Sequence, residues 1–262
     1  MVNLETAERF ADYTSRLIQS AESDSSVLGL VLVGSTAETH RVDEWSDHDF
    51  FLVVANGVGE KYRQDLSWVP DIENAVLHPR ETAHGLKIVF ADGHVLEFAV
   101  FEVEELPLAG INSFAVPVDK SNIFDVVTKL AAKSKDDRPF NWDEEFELFL
   151  SQVLIGVGRF RRGEVLIAGQ IIRSHCLNHF LGLVRSVQPP MAGFAGLEDS
   201  FNRFRRFDFQ YPELALKIED ALQKNVEESA QVLLELAIEL KPLTQSGERQ
   251  VLAIKNRLSW IS

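Results

Sequence analysis

"VLVGSTAETHRVDEWSDHDFFLVV", residues 31–54, is the stretch on which the fold of this chain turns. One apolar run ends at Gly34-Ser35, and the next begins with two acids, Asp47 and Asp49. Both runs are short, continuous and rich in Val and Leu, the pattern of strands buried on both faces. Alternate side chains of a strand share a face, so Asp47 and Asp49 project together while His48 and Phe50 point the other way. Two carboxylates this close raise one another's pKa unless a cation lies between them. Hard divalent cations take oxygen ligands, and Mg²⁺ commonly uses one or two carboxylates and fills its shell with water and phosphate oxygens.

Moving outward, "LKIVFADGHVLEFAVFE", residues 86–102, sets Asp92-Gly93 between two apolar, β-branched runs, a strong hairpin signal. The returning strand places Val95, Glu97, Ala99 and Phe101 on one face and Leu96, Phe98 and Val100 on the other. Glu97 is then a lone carboxylate on an otherwise apolar element, where acids seldom stand unpaired. If this strand lies beside residues 47–54, three carboxylates converge. The Gly34-Ser35-Thr36 turn adds backbone N–H groups and a hydroxyl, a cradle for phosphate. An Asp-x-Asp pair or a Gly-Ser turn by itself is an ordinary surface feature. Joined at this spacing they point to a metal-bound nucleoside triphosphate.

The remaining chain divides into two characters. Residues 5–21 carry apolar side chains at helical spacing through Phe10, Tyr13, Leu17 and Ile18. "EKYRQDLSW", residues 60–68, reads as a helix stopped by Pro70, and "SFAVPVD", residues 113–119, as an edge strand because of Pro117. A helix is expected over 122–134, followed by the polar break "KDDRPFN". Beyond it nearly everything has helical period, with Gly163 and Pro189-Pro190 as breakers. The expectation is a mixed α/β domain over 1–138 followed by an all-α helical-bundle domain over 139–262.

Composition bounds the partners. The 262 residues are 45% hydrophobic and 25% charged, as in ordinary globular proteins, with a formal net charge of −14. Such a surface repels phosphate backbones, which argues against a nucleic-acid template, and attracts cations. No apolar run is long enough to span a bilayer, and the acidic "MVNLETAERFADYT" does not read as a signal peptide. The single cysteine, Cys176, fits a reducing compartment, so a cytoplasmic location without membrane attachment is expected. Cys176 itself reads as a buried thiol. His175 and Cys176 have no metal-ligand spacing with other Cys or His residues, which argues against zinc.

Apolar–Gly-Ser, eleven residues, then Asp-x-Asp–apolar resembles the signature of the DNA polymerase β-like nucleotidyltransferase superfamily over residues 27–102. Glu97 stands where that superfamily has its later-strand carboxylate. His48 departs from the pattern, since an apolar residue usually separates the two acids. Residues 136–185, with the "RRGE" turn at Arg161 to Glu164, are similar to the helical domain of small antibiotic nucleotidyltransferases. They look most like the lincosamide enzymes, with kanamycin nucleotidyltransferase and streptomycin adenylyltransferase more distant.

This resemblance implies transfer of AMP from ATP to a hydroxyl of a small, cationic acceptor of lincosamide or aminoglycoside type. Asp47 and Asp49 would hold Mg²⁺, and Gly34 and Ser35 would bind the β- and γ-phosphates. Glu97 would complete a metal shell or serve as general base, and both roles stay open. Arg173 or Arg162 would reach the triphosphate. Glu144, Glu145, Glu147 or Glu164 would meet an amino group on an acceptor held in the cleft between the two halves. Each of these helical-domain residues also reads as part of a solvated helix face. A homodimer is compatible with the resemblance, because relatives in this fold often pair. Two rivals remain: a non-catalytic nucleotide-binding or toxin–antitoxin type partner module, and an enzyme transferring AMP to protein.

Two other patterns are set aside. Arg173 and His179, six residues apart, superficially resemble the Arg-x5-His motif of HEPN ribonucleases, but that spacing separates them around a helix. "SFNRFRRFDFQYP", residues 200–212, interleaves aromatics with arginines as single-strand binders do. Phe201, Phe204 and Phe207 more simply form the buried stripe of a helix.

Overall fold

The apolar runs flanking residues 34–47 are neighbouring antiparallel strands, β1 (Val27–Val33) and β2 (His48–Val54), with Leu32 opposite Phe50. The computed structural model describes residues 4–111, 113–133, 139–194, 199 and 202–261. The chain resolves into two compact units, Met1–Asp136 and Asp137–Ser262. The boundary expected at 138/139 abuts residues 134–138, which lie outside the described residues.

In the first unit, α1 (Leu4–Ser23) leads into β1, and α2 (Gly34–Ala37) is a single turn directly after it. The short α3 (Gly59–Gln64) follows β2. It ends well before Pro70, because the Asp65 carboxylate accepts the Ser67 N–H at 3.0 Å and turns the chain. The strands β3 (Ala75–Leu77), β4 (Gly85–Phe90), β5 (Val95–Glu102) and β6 (Phe114–Asp119) complete a sheet of order β3-β4-β5-β2-β1-β6. As its proline anticipates, β6 lies at an edge. β4 and β5 form the expected hairpin, with Gly93 at φ +89° in its turn. β2 and β5 are parallel neighbours, and the other pairings are antiparallel.

The alternation of side chains gives the sheet two apolar faces. Tyr13, Leu17 and Ala21 of α1 join Phe50, Leu52, Leu96, Phe98 and Val100 in one cluster. Phe50 and Phe98 stack with centroids 4.9 Å apart, so Phe50→Ala would cost about 3–5 kcal/mol. On the opposite face Val31, Val53, Ala99 and Phe101 meet Ile123 and Val127 of α4 (Ile123–Lys133).

The second unit is helical throughout its regular structure. α5 (Trp142–Arg161) is capped by Asn141, whose side-chain oxygen accepts from the Asp143 and Glu144 N–H groups. Gly163, at φ +83°, turns the chain into α6 (Val165–Gln170). That helix runs through a π-helical segment, Ile171–Cys176, into α7 (Leu177–Val187). Next come α8 (Phe207–Gln210), α9 (Pro212–Gln223), α10 (Val226–Glu239) and α11 (Gln245–Leu258). Their core gathers Phe146, Phe149, Phe180, Leu233 and Val251, and includes the buried Cys176, whose thiol burial pushes up. The aromatic stripe expected near residues 201–207 is only partly formed. Phe207 is buried, Phe204 is exposed on a turn, and Phe201 lies outside the described residues. Among the described residues no helix is long and apolar enough to cross a membrane.

Candidate active site

Strand register brings the expected acids together. Asp49 on β2 is the parallel partner of Glu97 on β5, and Asp47 immediately precedes β2. Oxygen atoms of Asp47, Asp49 and Glu97 lie within 4.8 Å of one another. Side chains at paired positions of neighbouring strands project to the same face, which is why an Asp-x-Asp at a strand mouth and one acid on the next strand suffice.

The turn after β1 is fitted closely against these acids. Gly34 sits at φ +58°, and a Cβ on it would stand 2.8 Å from Asp49 Oδ2. Glycine is therefore required twice over, by the backbone conformation and by the carboxylate beside it. The buried Thr36 hydroxyl accepts the Asp49 N–H at 2.8 Å, fixing the start of β2 to the turn. The Ser35 hydroxyl lies 3.5 Å from the Asp47 carbonyl, to which it donates. First-turn N–H groups of a helix have no intrahelical acceptor, so the turn offers donors next to the acids.

His48 faces the other side of the sheet and is fully buried, stacked 3.7 Å from the Phe10 ring. The Thr14 hydroxyl donates to the Phe10 carbonyl at 2.9 Å. It therefore accepts from His48 Nε2, also at 2.9 Å, and His48 Nδ1 accepts from His94 Nε2 at 2.8 Å. Burial, helped by the neighbouring His94, pushes the His48 pKa down to about 3. The residue that departs from the resemblance is thus a neutral, hydrogen-bonded core side chain, and the packing behind the acids is intact.

On the flank, the Asp43 side chain accepts from the Trp45 N–H at 2.9 Å and shapes the loop ahead of Asp47. This loop leaves the Trp45 side chain 86% exposed. It borders a cleft of about 1120 Å³ whose walls include Glu8, Asp43, Glu44, Trp45, Asp47 and His94. Asp47 belongs both to this cleft and to the acid triad.

The donor set decides which metal fits. Three carboxylates with no His or Cys among them suit a hard cation such as Mg²⁺ and do not suit zinc.

The remaining expected residues lie in the helical unit. Arg173 donates to the Lys224 carbonyl at 2.9 Å, just past the end of α9. Glu145 accepts from His179 Nδ1 at 3.0 Å and pairs with Arg203. Glu147 accepts from Gln250 at 2.7 Å, and Glu164 pairs with Arg159 at 2.8 Å. Arg162 follows the last residue of α5. Arg173 and His179 thus have separate partners.

Three contributors were not singled out from the sequence: Thr36, Trp45 and Lys87. Lys87 Nζ lies 3.4 Å from Glu97 and 3.0 Å from Glu81. Its place could have been found by counting back from the Asp92-Gly93 turn, since the hairpin sets Lys87 opposite Glu97.

No protein-family model matches this chain, and no curated protein matches it in sequence. Solved structures are similar to it at low identity. An aminoglycoside 6-adenyltransferase from Bacillus subtilis is 12% identical over 93% of this chain and 96% of its own, with a TM-score of 0.33. A nucleotidyltransferase-like protein from Exiguobacterium sibiricum is 12% identical over 94% of this chain and 77% of its own, with a TM-score of 0.35. CdnC of E. coli MS115-1, solved with ATP, is 12% identical over 88% of this chain and 91% of its own, with a TM-score of 0.35. At these values the chemistry of this chain is a matter for its own residues.

Proposed function

We propose that this chain is a nucleotidyltransferase that moves AMP from ATP to a hydroxyl of a small, cationic acceptor. The observation that carries the reading is the convergence of Asp47, Asp49 and Glu97 within 4.8 Å, beside a turn whose glycine admits no side chain. A purely structural strand pair gains nothing from three adjacent carboxylates, because like charges destabilise one another.

Asp47 and Asp49 would hold Mg²⁺, with Glu97 as a third ligand. Bound there, the ion would supply charge neutralisation on the triphosphate. Ser35 and the N–H groups of the Gly34–Ala37 turn would bind phosphate oxygens. The acceptor oxygen attacks the α-phosphorus, the bond from that phosphorus to the β-phosphate oxygen breaks, and pyrophosphate leaves in line. The hydroxyl proton passes to Glu97 or to water, with Glu97 in the first case acting as general base.

The loop ahead of Asp47 supports the cationic acceptor. Asp43 and Glu44 give it negative charge, and the exposed Trp45 ring offers a face for stacking or for an ammonium. Aminoglycosides and lincosamides carry both an amine and free hydroxyls, which makes them the acceptor class of choice. A cytoplasmic site of action belongs to the same reading.

The test combines purified protein, ATP and Mg²⁺ with a panel of aminoglycosides, lincosamides and cell extract, read by mass spectrometry. The expected result is an acceptor that gains one AMP with the wild-type protein and not with Asp49→Ala. Labelled protein in place of labelled small molecule would redirect the reading to protein AMP transfer. Absence of any adduct, with no pyrophosphate released, would leave a nucleotide-binding partner module.

A further inference from the structure

Lys87 sits at the triad for a reason that surface solubility does not supply. The antiparallel pairing of β4 with β5 sets it directly opposite Glu97, on the same face of the sheet as the three acids. Its ammonium lies 3.4 Å from Glu97 Oε1 and 3.0 Å from Glu81 Oε1. Both contacts are ion pairs, so the ammonium is shared between the third acid of the triad and Glu81. Glu97 is the most exposed of the three acids, and so the easiest to move. An ammonium on the third acid is a resident competitor for any cation that needs that acid as a ligand.

Resting on the nucleotidyltransferase reading, we propose that Lys87 is a built-in counter-ion of Glu97, which it must release when a divalent cation binds. Two consequences of opposite sign follow. A bare cation has to displace Lys87 and is repelled by it, so the site takes free metal weakly. A metal that arrives with a triphosphate brings anionic oxygens, and these give the displaced ammonium a new partner. The order of loading is thereby built into the sheet: metal enters with nucleotide. Lys87 acts here through Glu97 and the incoming charge, as a positioning residue.

The experiment measures Mn²⁺ binding by electron paramagnetic resonance, without and with α,β-methylene ATP. It compares the wild type with Lys87→Met, Lys87→Arg and Asp49→Asn. Lys87→Met is expected to tighten Mn²⁺ binding about two- to fivefold in the absence of nucleotide, the range of a partly exposed ion pair. It is expected to weaken binding of the metal–nucleotide complex by a similar factor, while Lys87→Arg stays close to wild type in both. Lys87 is partly exposed, so loss of folding does not confound the result, and a circular-dichroism melt verifies this. No change with Lys87→Met, or a change of the same sign in both conditions, overturns the proposal while leaving the site intact. If Asp49→Asn binds Mn²⁺ as the wild type does, the acid triad is not the metal site, and both readings fall together.

Discussion

Two acids, Glu145 in the helical unit and Glu97 in the sheet unit, each lie against a positive partner, and the contrast between them separates structure from function. Glu145 is enclosed. It accepts from His179 at 3.0 Å and pairs with Arg203, which continues to the Asn178 carbonyl at 3.2 Å. Gly182 makes room for this group, because a Cβ there would stand 2.5 Å from Arg203 Nη1 and 3.0 Å from Glu145 Oε1. Glu145 Oε1 thus takes both donors, and the Arg203 guanidinium offsets its charge. Glu97 is half-exposed and belongs to a set of three carboxylates within 4.8 Å, one of them paired to Lys87. A carboxylate with an arginine against it needs no further cation. A concentration of like charge held by strand register has a use for one.

The contrast breaks first, and most severely, at Asp49. Asp49→Ala is expected to lower AMP transfer at least about a thousandfold, the several kcal/mol that metal-borne charge stabilisation supplies. Steady-state kinetics with the acceptor that the panel identifies measures this. The fold is expected to survive, because the side chain points away from the apolar cluster under α1.

A second effect sharpens the comparison from behind the sheet. His48 has a folded-state pKa pushed down to about 3 by burial, while the unfolded chain binds its proton near the ordinary value. The unfolded state therefore holds more protons below about pH 6.5, and stability falls as pH falls through this window. The loss is about 2 kcal/mol between pH 6.5 and 4.5, and His94, also lowered by burial, adds to it in the same direction. Urea melts across this range check it. His48→Leu should flatten the slope relative to wild type.

Glu145→Gln tests the enclosed acid. It leaves Arg203 without its carboxylate partner, at an expected cost of about 1–2 kcal/mol after allowance for partial exposure. The thermal midpoint should drop by a few degrees, with Mn²⁺ binding at the triad unchanged. Smaller again is the stability cost of Gly34→Ala, about 1 kcal/mol for a non-glycine residue at positive φ. Its signature is different in kind, since the added methyl collides with Asp49 Oδ2 and should weaken metal binding. Both variants thus lower stability in calorimetry, but only Gly34→Ala changes the Mn²⁺ titration.

Much of the sheet unit was legible because strand period is short and strict. Alternation alone separated Asp47 and Asp49 from His48 and Phe50, and the Asp92-Gly93 turn fixed which side Glu97 would face. The β2–β5 pairing was not legible: it joins residues far apart in the chain, and no local pattern selects a parallel neighbour. The place of Lys87 depends on hairpin register, which runs back from the turn to Glu97. Thr36 reads as one polar residue in a turn, and only the fold shows its hydroxyl accepting from Asp49. In the helical unit, period gave the helices but not their interior detail. The π-helical segment at Ile171–Cys176 has no signature in the apolar period, and within it Ile172 packs on Gly156 so closely that a Cβ there would lie 2.5 Å from it. Helix α11 has only a faint apolar stripe, because its apolar residues are few and its polar ones many. The run around Phe204 has helical spacing of aromatics, yet Arg206 at φ +62° breaks it before α8 begins.

The most direct test of the account is to locate the metal itself. Crystals grown with Mn²⁺ and α,β-methylene ATP, measured for anomalous scattering, would show it. The account predicts a peak bound by Asp47, Asp49 and Glu97, within about 2.0–2.3 Å of their oxygens, with the triphosphate against the Gly34–Ala37 turn. A nucleotide bound elsewhere, or bound at the turn with no metal peak between these acids, would contradict it.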